Sequence, residues 1–97
     1  MIIRIFKRGK EIVLAACDWD LLGKTLRSGE IKLHVSKKFY GEEPGDREAL
    51  VAGLRSCTTA NLVGERVVRI AVDAGFIDEG GIIVIEGVPH AQLFKMI

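Results

Sequence analysis

The sequence predicts an α+β fold: one mixed, largely antiparallel sheet of about five strands with two helices on one face. Three observations lead there. Runs rich in isoleucine and valine stand near both ends of the chain, at 2–6, 11–17 and 82–85. Residues 31–35 alternate apolar and polar side chains with the period of a strand. Residues 46–74 repeat apolar side chains at helical spacing. With 97 residues, 48% hydrophobic and 28% charged, the chain is expected to form a single domain over 1–97 with its own core.

Ile2, Ile3, Ile5 and Phe6 open the first strand, and Arg8, Gly9 and Lys10 turn it into 11–17 as a hairpin. The returning run is apolar on both faces, so it is expected in mid-sheet with a layer packed over it. Asp18 to Gly23 reads as a single helical turn, with Asp18 capping its amides and Gly23 ending it. In the strand at 31–35, Ile31, Leu33 and Val35 face one way, with Lys32 and His34 on the wetter side. Residues 39–45 carry Gly41, Pro44 and Gly45 and read as loop.

Asp46 is placed to cap a helix running through Leu50, Leu54 and Cys57. A second helix is expected from the stripe Val63, Val67, Ile70 and Ala74, ended by Gly75. One unbroken helix over 46–74 would be roughly 43 Å long at 1.5 Å per residue, wider than the domain. A break is therefore expected near Cys57, Thr58 and Thr59. Asn61 and Gly64 would be odd choices inside that second helix, and a bond from the Asn61 amide to 87–92 would account for them. Residues 82–85 read as a buried strand. Gly87, Val88 and Pro89 read as a turn into a last strand over 90–97, with His90, Gln92 and Phe94 on one face.

Several chemistries are excluded. Gly23, Lys24 and Thr25 resemble the end of a phosphate-binding loop, but Asp18, Trp19, Asp20, Leu21 and Leu22 precede them, and two carboxylates would repel phosphate. Cys17, Cys57, His34 and His90 lack the short ligand spacings of a structural zinc site, so no metal or other cofactor is expected. Nothing local sets a base beside either thiol. Two cysteines without a CxxC read as reduced thiols of a cytoplasmic protein. No apolar run reaches the roughly 18 residues of a membrane span, so no membrane association is expected.

Net charge is +1, yet it is unevenly placed. Residues 1–38 hold nine Lys and Arg against four acidic side chains, a balance of +5, and the remainder carries −4. Asn61 and Gln92 are the chain's only side-chain amides, the composition of a thermophilic protein whose surface charges serve stability. Against that background, Lys32, His34, Lys37, Lys38, Phe39 and Tyr40 suggest a surface where cations meet phosphate and aromatics stack bases. Arg4, Lys7, Arg8 and Lys10 would join it if the first hairpin lies alongside. A rival site is a ligand pocket of Asn61, Glu65, His90 and Gln92.

The segments Phe39-Tyr40-Gly41, Asn61-Leu62-Val63-Gly64-Glu65 and Gly87-Val88-Pro89-His90-Ala91-Gln92 resemble a family of small archaeal proteins, a domain of unknown function, over essentially the whole chain. The resemblance implies an archaeal cytosolic protein and assigns no activity, cofactor or catalytic residue to any position. The favoured reading is a non-enzymatic module binding RNA or a ribonucleoprotein. The alternatives are a small enzyme or ligand-binding protein at Asn61, His90 and Gln92, and a protein-interaction subunit or homodimer docking through Trp19 or a strand edge.

Overall fold

The computed structural model describes residues 1–96. β1 (Ile2–Arg8) and β2 (Glu11–Cys17) form the expected hairpin, paired from Ile2↔Cys17 to Arg8↔Glu11 around Gly9 at φ +61°. β2 then pairs in parallel with β5 (Thr59–Val63), β5 pairs antiparallel with β7 (Val88–Phe94), and β7 with β6 (Ile83–Ile85). The strand order is β1-β2-β5-β7-β6, a mixed five-stranded sheet. Val13 to Cys17 of β2 are buried, as a strand covered on both faces requires.

The two longer helices, α2 (Arg47–Ser56) and α3 (Glu65–Asp73), lie on one face. There Leu50, Leu54, Val67 and Ala71 pack against Leu14, Ala16, Leu62 and Ala91 of the sheet. Asp46 caps α2 by accepting from the Ala49 amide at 2.9 Å. Gly53 lets this helix settle close, since a Cβ there would stand 3.1 Å from Leu14 Cδ1 and 3.2 Å from Ile5 Cδ1. Gly75, at φ +84°, ends α3 as expected.

Residues 18–43 cover part of the opposite face. They contain β3 (Thr25–Ser28) and β4 (Ile31–His34), a separate two-stranded sheet, then the one-turn helix α1 (Lys37–Tyr40). Leu21, Leu26, Val35 and Tyr40 from this layer form a second core with Ala15, Cys17, Val63 and Ile85.

The structure corrects the expected elements at seven places. β3 arises where no strand is expected. The segment read as loop begins with α1, because Ser36 Oγ accepts from the Phe39 amide and starts a helical turn. Residues 59–63 are the strand β5, so Asn61 is a strand residue and Gly64 the residue before α3. Short apolar segments fit either period, and here pairing on both sides decides. Residues 82–85 form an exposed edge, with Ile83 and Val84 more than half exposed and only Ile85 buried. The final turn is Glu86 and Gly87, both at positive φ as a two-residue hairpin loop demands, and Pro89 lies within β7. The last strand ends at Phe94, and the expectation for Ile97 lies outside the described residues.

The seventh correction concerns Asp18. It precedes a 3-10 turn at Trp19–Leu21 but makes no side-chain cap there. Its carboxylate instead accepts from the Arg66 and Val67 amides at 3.0 and 3.1 Å, capping α3 from 48 residues away. Gly64 makes this possible. It sits at φ +119°, and a Cβ on it would collide with the Asp18 carboxylate. The Gly64 amide also donates to the Pro89 carbonyl at 2.9 Å, so β2, β5 and β7 are tied at one end of the sheet.

Candidate functional site

On the face away from α2 and α3, β1 presents Arg4, Phe6 and Arg8 at every second position. α1 lies beside them. Phe39 meets Phe6 edge-on with centroids 5.7 Å apart, and Tyr40 meets Phe39 at 5.0 Å. Arg4 Nη1 donates to the carbonyls of Lys38 and Phe39 at 2.8 and 3.2 Å, satisfying the open end of a one-turn helix. The same guanidinium stacks 4.1 Å from the Phe6 centroid, and Arg8 approaches that ring at 5.5 Å. Together Arg4, Phe6, Arg8, Ser36, Lys38 and Phe39 line an open groove of about 350 Å³.

The groove is cationic without compensation. Among the described residues the sole ion pair joins Lys37 to Glu42 at 3.7 Å, both well exposed. Arg8 and Lys38 are exposed, and neither they nor the half-buried Arg4 that holds the α1 carbonyls has a carboxylate partner.

The residues singled out for nucleic acid do not form one patch. Lys38 and Phe39 line the groove, while Lys37 turns to Glu42. Tyr40 is 2% exposed, and burial beside Cys17 holds its phenol far above the ordinary range, so it serves the core. Lys32 and His34 sit on β4, both exposed, with His34 Nδ1 2.8 Å from Thr25 Oγ1 across the hairpin. Sequence reasoning passed over Phe6 as a strand residue. The alternation Arg4, Phe6, Arg8 was the available signal.

The second candidate set also divides. Asn61 and Gln92 are cross-strand partners, with Gln92 Nε2 donating to Asn61 Oδ1 at 3.2 Å. His90 is on the same face two pairs along, its Nδ1 3.0 Å from the Leu62 carbonyl. Glu65 belongs to the first turn of α3 and lines a different cleft, with Asp18, Asp20 and Pro89. Cys57 packs among the helix-side core, and Cys17 on the other face. Burial, reinforced by Asp18, raises the Cys17 thiol to about 11, and burial raises Cys57 as well. Neither offers a thiolate near neutrality.

A family model described as "Protein of unknown function (DUF424)" matches residues 6–96. Among solved structures, the chain is similar to an uncharacterized conserved protein from Methanopyrus kandleri at 31% identity, with a TM-score of 0.78. That match covers 99% of this chain and 94% of the other. No curated protein matches.

Proposed function

This chain belongs to the family described as "Protein of unknown function (DUF424)", and we propose from its groove that it is a non-enzymatic module that binds single-stranded RNA, alone or within a ribonucleoprotein. The supporting observation is the groove between β1 and α1, where three cations without carboxylate partners surround Phe6 and Phe39. Guanidinium and ammonium groups neutralise backbone phosphates, and the half-buried rings of Phe6 and Phe39 give a base an apolar contact. A thermophilic surface of interlocked ion pairs would instead have placed acidic side chains beside these cations. Two unpaired cysteines on opposite faces of the sheet support a reducing, cytosolic setting.

The test is anisotropy of labelled single-stranded RNA at several salt concentrations. Three phosphate contacts predict that log K falls with log salt with a slope of about −2. Arg8→Glu with Lys38→Glu is expected to lower affinity at least tenfold and flatten that slope, whereas Lys24→Glu is expected to leave both unchanged. A wild-type affinity indifferent to salt would sink this reading.

A second reading has one observation of its own. Trp19 is 72% exposed beside a cleft lined by Met1, Asp18 and Arg66, and exposed tryptophan commonly anchors protein interfaces. Sedimentation of wild type against Trp19→Ala distinguishes a homodimer held there from a monomer.

A further inference from the structure

Two strands across the sheet from the groove, and on the same face, stands a polar and aromatic patch that phosphate binding does not use. The pairing aligns Arg4, Ala15, Asn61 and Gln92 in one row, with Phe6, Val13, Thr59 and Phe94 in the next. Three interstrand spacings place the backbones of Arg4 and Gln92 roughly 14 Å apart. Asn61 Oδ1 is occupied by one N–H of Gln92. Among the described residues, the Gln92 carbonyl oxygen and its second N–H have no protein partner, and Gln92 is exposed. Phe94, two residues along the same strand face, is 70% exposed.

An exposed phenyl ring next to a held primary amide suits a planar ligand with hydrogen-bonding edges. The cations on this face give that ligand a sign, since Arg8 and Lys38 favour a chain of phosphates over an acid-poor peptide. We infer that Asn61, Gln92 and Phe94 form a nucleobase subsite for the RNA proposed above, with Phe94 stacking the base and Gln92 bonding its edge. One free carbonyl and one free N–H on a single amide can pair with the edge of any of the four bases. Preference therefore falls to the stack, where the two-ring face of adenine covers the exposed Phe94 more fully than the single ring of uracil. Asn61 is a positioning residue, since its bond to Gln92 sets the rotamer that presents the amide.

This inference rests on the RNA reading of the groove, and the experiment separates the two. Short oligoadenylate and oligouridylate are titrated against wild type, Gln92→Ala, Phe94→Ala and the Arg8→Glu/Lys38→Glu variant. Wild type is expected to bind oligoadenylate about fivefold more tightly, within the range of one stacked base. Phe94→Ala is expected to erase that preference, while Gln92→Ala weakens both oligonucleotides by about fivefold. Equal wild-type affinities, or a preference surviving in Phe94→Ala, overturn the subsite and leave the groove reading standing. No binding of either oligonucleotide at low salt overturns both. Gln92 and Phe94 are exposed, so both variants keep their core, and far-ultraviolet circular dichroism checks the fold.

Discussion

Cys17 and Cys57 show how a reactive side chain becomes an inert one. Each is buried, and desolvation disfavours the thiolate in both. A thiol that ionises later in the folded than in the unfolded chain leaves stability untouched below the unfolded value. As pH rises past 9.0 the unfolded chain loses Cys17's proton first, so stability falls until the folded thiol ionises near 11. Denaturant midpoints are expected to be level with respect to these groups at neutral pH and to drop between those limits. Cys17→Ser, which removes its titration, is expected to reduce the drop. Tyr40 follows the same physics. From the sequence it belonged with Phe39 as a stacking ring, because position along the chain says nothing about which of two adjacent aromatics turns inward.

Among the elements, β5 and α3 carry the lesson about periodicity. Val63, Val67 and Ile70 do share helical spacing, but Val63 ends a strand and the other two sit on a helix. What makes 59–63 a strand lies outside it. Thr58 exchanges bonds with Ile12, accepting from the Ile12 amide at 2.9 Å and donating its own amide to that carbonyl at 2.8 Å, which sets β5 in register with β2. The start of α3 is similarly remote in origin, since Asp18 at the end of β2 supplies its cap. Asp18→Ala is expected to cost about 1–2 kcal/mol in denaturant unfolding, with faster hydrogen exchange at Arg66 and Val67. Gly64→Ala is expected to cost more, because it adds a collision with Asp18 to an unfavourable backbone conformation. If Asp18→Ala matches wild type, the cap contributes nothing. The hairpin β1–β2, the Asp46 cap and the Gly75 stop were legible in the sequence because each depends on residues within a few positions of itself.

Across the whole molecule, charge and stability are carried by different parts. The lone ion pair among the described residues is exposed, and such pairs contribute about 0–1 kcal/mol. The core has two halves, one under the helices and one under the 18–43 layer. Thermal unfolding is therefore expected to shift little between low and moderate salt, while RNA affinity over the same range falls steeply. A melting temperature that drops as salt is added would mean that electrostatic attraction stabilises the fold after all.

The first hairpin turn, the Asp46 cap, the α+β class and the basic first third could be read along the chain, since they arise from propensity and charge over short distances. The groove could not. Arg4 reaches the Lys38 carbonyl across 34 positions, and Asn61 reaches Gln92 across 31. Those meetings follow from strand order and register, which are set by how the two cores pack and by which neighbour completes each strand's hydrogen bonds. Burial of Tyr40, exposure of Phe94 and the placement of Arg4, Asn61 and Gln92 in one row are consequences of that packing, and no local pattern encodes them.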